Sequence, residues 1–247
     1  MASKIIVDQL EKTGGALTAL TLPVANASAN EFLQNNGAGA LSWAASTGGL
    51  AGMKVYTTAS STWTKSTREA ALGGVVIVKV IVEVQGGGAG GSRDSTGTEQ
   101  IGGSAGGYAR KLLDVTGVTS ATVSVGAGGA GATADNTAGV DGGDSSWVDS
   151  VNTDVKGLKG VGGNTANTGT IGGLGTGGDL NIQGGRGGKG IGMYAGSSQF
   201  GNGGGNWSVI ASQNDATGYG AGGGSMETSG GTAGAGTAGI VIVYEYT

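Results

Sequence analysis

The side chains that most often carry catalytic chemistry are scarce in this chain. It has no histidine, the commonest general base, and no cysteine, so thiolate nucleophiles, disulfides and thiolate zinc sites are ruled out. A loose acidic group matches no calcium loop, whose oxygen ligands are tightly spaced; its members are Asp135, Asp141, Asp144, Asp149 and Asp154. We interpret them as solvated loop acids and predict no metal and no cofactor. A carboxylate pair for glycoside hydrolysis stays open as an alternative.

Two glycine motifs resemble nucleotide-binding loops but lack the required context. The stretch from Gly126 to Gly131 reads G-x-G-x-x-G after a predicted strand, yet more glycine follows where a dinucleotide site needs a helix. Lys189 lies between Gly188 and Gly190, and no Ser or Thr follows it as a P-loop requires. The net charge of −4 disfavours binding to nucleic-acid phosphates. We predict a protein that is not an enzyme and binds no nucleic acid.

Apolar and aromatic side chains within glycine-rich surroundings are the candidate binding residues. Rigid aromatic rings displayed on loops are typical of binding surfaces. The predicted binding residues are Met193, Tyr194, Phe200, Trp207 and Tyr219. The alternative, at similar weight, is that the rings cover flat faces of a glycine-rich core.

The longest glycine-poor stretches of the C-terminal region are the candidate binding loops, because loops vary easily on a rigid scaffold. They are residues Arg93 to Gln100, Thr133 to Val155, Met193 to Phe200 and Asn206 to Thr217. Arg93 and Arg186 could pair with anionic groups of a ligand, and a solvated surface role is an equal alternative for both.

Glycine dominates the composition, with 58 of 247 residues, and its clusters recur from Gly86 to Gly239. Collagen is excluded, because glycine does not recur at every third position and the chain has one proline. The low charged fraction of 12% disfavours disorder. Short glycine runs can form extended threefold helices of the polyglycine II type, whose N–H and C=O groups bond to neighbouring helices. We therefore predict stacked helices with a core of backbone.

Strands and one helical turn are predicted around these runs. Residues 75–84 alternate with period two, which places Val76, Val78, Val80, Val82 and Val84 on a buried face. Residues 112–115, 122–125 and 239–246 are further strands, and we expect the last to share a sheet with residues 75–84. A helical turn at residues 67–72 should end at Gly73-Gly74.

The N-terminal region has ordinary glycine content and a different pattern. Residues 31–43 predict a hairpin with Asn36-Gly37 at its turn. Residues 46–52 are small and predict a linker, so we expect a fibre module at 1–52 and a glycine-rich domain at 53–247. The fold class is mostly β and irregular, with stacked polyglycine II helices, flanking strands and a small β-hairpin module. No stretch has the length of a membrane span or signal-peptide core, so we expect no membrane insertion.

The order of motifs resembles the glycine-rich C-terminal domain of phage tail fibres, similar to distal tail-fibre adhesins, over about residues 60–247. A Val-rich strand runs into Gly86-Gly87-Gly88, and Gly106-Gly107-Tyr108, Gly184-Gly185-Arg186 and the terminal Val-rich strand follow. Leu20 to Pro23 and Gly39 to Trp43 are separately similar to fibre modules of marine phages. One departure is Arg68 to Gly74, where the family usually has a proline-glycine turn.

The resemblance implies a receptor-binding protein on the virion tail fibre, synthesised in the host cytoplasm. Its implied partners are a bacterial surface glycan or outer-membrane protein, and other virion tail proteins through the N-terminal region. A hairpin too small to bury a core alone favours a homotrimer joined through residues 1 to about 50; a monomer on a separate fibre is the alternative. The competing functions are a capsule or surface-polysaccharide depolymerase and a structural or ice-binding glycine-rich protein.

Overall fold

The computed structural model divides the chain into two units. It describes residues 9–10, 20–21, 23, 31–35, 41–45, 48–95, 100–165, 169–190, 193–205, 215–227 and 231–247. The first unit comprises residues 1–49 with Thr247, and the second comprises residues 50–246. A strand begins at Leu50, inside the stretch that we predicted as a linker.

The first unit contains two pairs of short antiparallel strands. β1 (Gln9–Leu10) pairs with β2 (Leu20–Thr21), and β3 (Glu31–Asn35) pairs with β4 (Leu41–Ala45). The second pair confirms the arms of the predicted hairpin. Its turn at Asn36-Gly37 lies outside the described residues.

The second unit is built on two five-stranded antiparallel sheets. Its described elements are β5 (Leu50–Tyr56), β6 (Ser61–Thr64), α1 (Lys65–Ala71), β7 (Lys79–Gln85), β8 (Tyr108–Asp114), β9 (Ser120–Ser124), β10 (Ser145–Asp149), β11 (Val155–Gly157), β12 (Gly175–Thr176), β13 (Leu180–Ile182), β14 (Phe200–Asn202), β15 (Thr217–Tyr219) and β16 (Ile240–Tyr246). One sheet has the order β12-β11-β10-β9-β6, and the other has β13-β8-β7-β16-β5. β14 and β15 form a separate pair. The mostly β and irregular fold class is therefore confirmed.

The two sheets bury a core of side chains between them. Trp63 on β6 and Trp147 on β10 are fully buried, with ring centroids 5.3 Å apart. Each indole N–H donates to a carboxylate: that of Trp63 to Glu245 at 2.9 Å and that of Trp147 to Asp149 at 2.8 Å. We predicted a core of backbone for the glycine-rich domain, and that prediction is wrong for this sandwich, whose core consists of side chains.

A buried ion pair attaches helix α1 to the sheets. The Arg68 guanidinium contacts both carboxylate oxygens of Glu245 at 2.7 Å, and the Glu245 side chain has no exposed surface. Hydrogen bonding to Glu245 raises the pKa of Arg68. Because removal of one partner would leave a buried charge uncompensated, the pair is a strong constraint on where α1 lies.

The predicted strand pairing is confirmed, with one change of burial. β16 pairs with β7 along its whole length, from Ile240 opposite Gln85 to Tyr246 opposite Lys79. Within β7 the valines predicted to be buried, Val80, Val82 and Val84, are buried. Before β7 the prediction is wrong, because Val76 is exposed and Ile77 is buried. Residues 75–78 precede the strand, so its alternation does not extend to them. The predicted helical turn is α1, and positive φ angles at Gly73 and Gly74 follow it.

Extended glycine-rich segments continue from the ends of the strands and pack side by side. We call this array the lattice. The segments joined by lateral backbone hydrogen bonds are residues 86–93, 101–107, 126–132, 137–143, 158–163, 170–174, 184–188, 194–197, 220–226 and 233–239. β7 and β11 run directly into segments, β9 and β13 do so after one residue, and segments run directly into β8 and β16. The sandwich therefore sets where the lattice segments begin.

The central segment, residues 86–93, bonds to its neighbours with a period of three. Its first, fourth and seventh N–H groups donate to residues 101–107, and its second, fifth and eighth donate to residues 137–143. Its third and sixth donate to residues 234–237, all with N–O distances of 2.9 to 3.1 Å. A β-strand alternates with period two, whereas a polyglycine-type helix has three residues per turn. The observed period is the threefold one.

The same segment also accepts hydrogen bonds from three further neighbours. Amides in residues 129–132, 160–163 and 223–226 donate to its carbonyl groups. Six neighbours therefore surround one extended chain, which satisfies backbone polar groups buried far from water. Residues 101–107 repeat the pattern, with successive N–H groups directed to residues 185–188, 220–223 and 158–161 in turn.

Close backbone contact explains why the lattice needs glycine. A Cβ built at Gly88 would overlap the carbonyl oxygen of Ala221, and one built at Gly90 would overlap that of Ala130. Backbone oxygens cannot move aside as the end of a long side chain can, so a larger residue would force segments apart. By contrast, nothing lies within 4 Å of a Cβ at Gly117, in the turn between β8 and β9.

Candidate ligand-binding site

Two of the residues predicted to bind a ligand, Met193 and Tyr194, lie at the start of one peripheral segment, residues 194–197. Its backbone is held by hydrogen bonds on several sides: the Gly188 amide donates to Tyr194 at 3.0 Å, and the Gly196 amide donates to Gly103 at 2.9 Å. Ala195 and Gly196 are buried against the lattice. At the start of this segment Met193 is 51% exposed and Tyr194 is 67% exposed. Two apolar side chains therefore project from a backbone with fixed bonding.

Phe200 and Tyr219 are brought together by the β14–β15 pair. They lie directly opposite each other in its register. The Phe200 ring meets the ring of buried Tyr108 edge-on, with centroids 5.7 Å apart, so it attaches the pair to the sandwich as well as facing solvent in part. Tyr219 is 36% exposed, and Trp207 lies outside the described residues.

A cleft of about 300 Å³ opens beside this region, and we call it the Gln85 cleft. Its lining comes from the end of β7, the start of β8, the end of β13 and three lattice segments. The lining residues are Gln85, Gly106, Tyr108, Ile182, Gln183, Gly184, Gly185, Ser197, Ser198 and Gln199. The predicted loop from Met193 to Phe200 thus forms one wall. Partial enclosure and convergent polar groups are typical of small-molecule sites.

Two of the residues that line the cleft have large, buried side chains. Gln85 is fully buried and Tyr108 is 6% exposed. Burial, together with the neighbouring Glu83 carboxylate, raises the pKa of the Tyr108 hydroxyl well above its usual value. The phenol is therefore neutral at physiological pH and presents no charge to the cleft.

Sequence analysis missed Gln85 and Tyr108. Both border glycine clusters, and each looks like an ordinary strand-end residue in the sequence. Their burial comes from segments distant in the chain that close around the junction of sheet and lattice, because the Gln85 side chain reaches Gly106 and Gly107. A polar residue between a Val-rich strand and a glycine run is the one local signal.

The two arginines that we considered for anionic ligands differ in their burial. Arg93 is 7% exposed, and its guanidinium donates to the carbonyl groups of Thr133 and Gly231 and pairs with Asp135. It is therefore a structural residue, and its predicted surface role is wrong. Arg186 is exposed on residues 184–188.

The predicted loop from Thr133 to Val155 is not a single loop. It contains β10, whose Trp147 lies in the sandwich core. Only its flanking parts are exposed, with Val140 at 56% and Val151 at 61%. The sequence did not predict β10 because this strand is short and begins with two serines.

The acidic residues of this stretch have local partners in the structure. Partial burial opposes ionisation of Asp141, but the Gly162 amide and the Lys159 ammonium outweigh it and lower the pKa. Asp149 follows the same pattern, with donors from residues 147–152 lowering its pKa despite partial burial. A general acid for glycoside hydrolysis needs a raised pKa instead. Within the described ranges no group of three or more acidic side chains is arranged to hold a metal ion.

The fold defines a class of protein: a β-sandwich whose strands continue into a glycine-rich lattice bonded through its backbone. Comparison with protein families agrees, because residues 70–246 match the glycine-rich domain family. This match covers more than half of the chain, and the chain therefore belongs to the glycine-rich domain family. No curated protein matches it. In the part of the chain that the structure describes, no helix is long and apolar enough to cross a membrane.

Proposed function

We propose that this protein is a receptor-binding adhesin of a phage tail fibre, which recognises a bacterial surface component by non-covalent binding. The observation that carries the proposal is the exposed pair Met193 and Tyr194 on a backbone that the lattice holds in place. Apolar side chains kept in water on a rigid support lose little conformational entropy on binding. The sequence resemblance to tail-fibre adhesins supplies the biological setting.

The partner in this proposal is a surface glycan or an outer-membrane protein of the host. Tyr194 and Met193 supply apolar contact, while the neighbouring loop residues from Ser197 to Gln199 supply hydroxyl and amide groups. Arg186 adds one exposed cation nearby in the sequence. Mixed apolar and neutral polar contacts of this kind are common in binding surfaces.

We also propose that the first unit joins three copies of the chain and attaches them to other virion tail proteins. Phe32 and Leu33 on the β3–β4 hairpin are 49% and 42% exposed, and an isolated two-stranded hairpin is marginal in water. Association would cover these side chains. Light scattering of the full chain tests this, since a mass near 23.5 kDa would contradict it.

The test of binding uses two methionines with almost equal exposure. Met193 is 51% exposed in the proposed site, whereas Met53 is 54% exposed on β5 of the sandwich. Fluorescently labelled chain is measured for adsorption to a panel of bacterial strains by flow cytometry. On a strain that binds, Met193→Ala and Tyr194→Ala should each weaken adsorption about tenfold, equivalent to about 1.4 kcal/mol. Met53→Ala should leave it unchanged.

Two outcomes would contradict the proposal. The first is unchanged adsorption for both Met193→Ala and Tyr194→Ala with unchanged melting temperatures. The second is hydrolytic turnover, detected as release of reducing sugar from the polysaccharide of a bound strain, which would favour a depolymerase.

One observation favours an ice-binding or structural function as a second candidate. Leu158 and Val161 lie at threefold spacing on one segment, beside Leu174 and Ile171 on the next, with the Leu158 amide donating to Leu174 at 2.9 Å. Val161, Ile171 and Leu174 are 42%, 53% and 51% exposed. Residues three apart on such a segment are spaced by about 9 Å, so this face is regular and aliphatic. Thermal hysteresis in a freezing assay would support the ice-binding function, and its absence would remove that function.

A further inference from the structure

A second pocket, separate from the Gln85 cleft, lies at one edge of the sandwich. Its volume is about 440 Å³, and it is lined by β5, β6, the connection between them and α1. β5 and β6 are edge strands of the two five-stranded sheets, and residues 57–60 join them. Of the described residues, none lines both cavities. We call this second cavity the edge pocket.

Lys54 points from β5 toward the inner side of the sandwich. In the β5–β16 pair Lys54 lies opposite Val243, and Tyr56 lies opposite Val241. Residues directly opposite each other in an antiparallel pair share one face of the sheet, and both valines are buried in the core. Lys54 is nevertheless exposed, and it lines the edge pocket. A cation accessible to solvent therefore lies on the core side of an edge strand.

The charge of Lys54 is the uncompensated one in the edge pocket. The other lining cation, Arg68, is 18% exposed and pairs with the buried Glu245 carboxylate. The ion pairs of the described residues do not include Lys54, whose ammonium lies 5.8 Å from the centroid of the Tyr56 ring. Of the described residues that line the pocket, none is acidic. In a chain of net charge −4, the edge pocket is therefore a local site of positive charge.

The remaining polar side chains of the edge pocket are neutral hydroxyls. Burial raises the pKa of the Tyr56 hydroxyl, so this group stays uncharged at physiological pH. Six further hydroxyl side chains line the pocket, each at least partly exposed: Thr57, Thr58, Ser61, Thr62, Thr64 and Thr67. A hydroxyl both donates and accepts hydrogen bonds, as the hydroxyl groups of a sugar do. One uncompensated cation among many hydroxyls therefore fits a sugar unit with one anionic group.

We propose that the edge pocket binds one acidic sugar unit of a larger glycan, with Lys54 pairing with the anionic group and the pocket hydroxyls bonding to the sugar hydroxyls. Charge-assisted hydrogen bonds are stronger than neutral ones, and the volume of about 440 Å³ lies within the range of small-molecule sites. The anionic group is the carboxylate of a uronic acid or the phosphate of a sugar phosphate. The biological setting rests on the proposed adhesin function, whereas the chemistry rests on the pocket.

The experiment follows backbone amides of the uniformly 15N-labelled full chain during titration with small sugars. The probes are methyl glucuronide, glucose 6-phosphate and neutral methyl glucoside, with inorganic phosphate and N-acetylaspartate amide as anions that are not sugars. We expect one of the two acidic sugars to shift amides of residues 54–58 and 61–64 saturably, and which one it is distinguishes carboxylate from phosphate. Methyl glucoside should bind at least about tenfold more weakly. Amides of residues 101–107 in the lattice should stay unshifted.

Variants of Lys54 test the charge with a matched control. Lys54→Gln keeps most of the length of an exposed side chain but removes its charge, so affinity for the acidic sugar should fall about tenfold with an unchanged melting temperature. Lys54→Arg keeps the charge and should retain most of the affinity. Lys79 is also an exposed lysine of the same sheet but does not line the edge pocket, and Lys79→Gln should have no effect.

Four results would overturn the assignment. They are equal affinity for methyl glucoside, equal or tighter binding of inorganic phosphate or N-acetylaspartate amide, unchanged affinity in Lys54→Gln, and no shift with either acidic sugar. In the last case Lys54 would be an inward-pointing charge that only prevents other strands from pairing with the β5 edge.

The outcomes also separate this inference from the adhesin proposal. If the acidic sugars fail to bind while Tyr194→Ala still weakens adsorption to cells, the adhesin proposal stands and the edge-pocket inference falls. If an acidic sugar binds in the edge pocket but adsorption to cells depends on neither Met193 nor Tyr194, the reverse holds.

Discussion

The sandwich and the lattice bury the same chain in opposite ways. In the sandwich, large side chains such as Trp63 and Trp147 fill the space between two sheets. In the lattice, the absence of side chains lets segments approach until their backbones bond directly, as the Gly88 amide does with the Thr237 carbonyl. One region is stabilised mainly by removing apolar surface from water, and the other mainly by pairing buried backbone groups.

This difference predicts opposite sensitivities to mutation. Removing atoms from the sandwich core should lower the unfolding free energy, because a cavity remains. Adding atoms to the lattice should lower the unfolding free energy, because the neighbouring atoms are backbone and cannot repack. A rigid lattice also explains how exposed loops such as that at Tyr194 are supported without a large core beneath them.

The largest expected effect is Trp147→Ala in the sandwich. The change removes a fully buried ring in contact with Trp63 and the hydrogen bond to Asp149. Unfolding free energy should fall by about 3–5 kcal/mol, measured by chemical denaturation. Val151→Ala, at a site that is 61% exposed, is the control and should change it by less than about 0.5 kcal/mol. A loss below about 1 kcal/mol for Trp147→Ala would mean that the sandwich core is not as described.

The second effect adds one carbon to the lattice. Gly88→Ala should destabilise the protein by about 3 kcal/mol, because the new methyl group overlaps the Ala221 carbonyl. Gly117→Ala is the matched control, since nothing lies within 4 Å of its Cβ, and melting should be unchanged or slightly higher. Equal melting temperatures for the two variants would show that the segments at Gly88 are not in backbone contact.

A smaller, pH-dependent effect is expected at Asp149. Amides of Val151 and Asn152 and the Trp147 indole donate to its carboxylate, and these bonds outweigh partial burial and lower its pKa. A lowered folded-state pKa gives stability that is present above the unfolded pKa, about 3.9, and lost as pH falls through the folded value. Asp149→Asn should therefore cost about 1–2 kcal/mol at pH 7.

The stability difference between wild type and Asp149→Asn should shrink as pH falls below about 4. Denaturation curves from pH 7 to pH 2.5 measure it. Asp154→Asn, which breaks an exposed ion pair with Lys156, is the control and should cost less than about 1 kcal/mol. A difference for Asp149→Asn that grows as pH falls would contradict the assignment.

The smallest effect is expected for Tyr194→Ala. Its side chain is 67% exposed, so unfolding free energy should change by less than about 0.5 kcal/mol. The melting temperature provides the measurement. A large drop would show that the ring covers the lattice and supports its packing, which was the alternative to display.

Sequence was sufficient for features that depend on local pattern. Val80, Val82 and Val84 alternate cleanly and predict the inward face of β7, and the Val-rich C-terminal strand predicts its partner. The glycine clusters and single proline predict segments bonded through their backbone. Each of these follows from a period or a residue type that can be read within a short window.

The rest depends on contacts between distant residues. The strand pattern around Glu245 does not predict its buried partner Arg68. The sequence around Gln85 does not predict the hydrogen bonds of its side chain to Gly106 and Gly107. The order in which segments surround residues 86–93 also follows from the sandwich topology. The candidate loop at Tyr194 could be predicted from composition, whereas the cleft beside it could not.

The most direct test of the lattice, on which the proposed display of loops rests, is NMR detection of couplings across hydrogen bonds. In deuterated, [13C,15N]-labelled full chain, the amides of Gly86 and Ala89 should couple to the carbonyls of Gly107 and Ser104. The intervening amides should couple to two other segments, with Gly87 paired to Gly143 and Gly88 to Thr237. That threefold rotation of partners is the predicted result. Couplings from alternate residues to the same two neighbours would indicate an ordinary β-sheet and contradict a lattice with a backbone core.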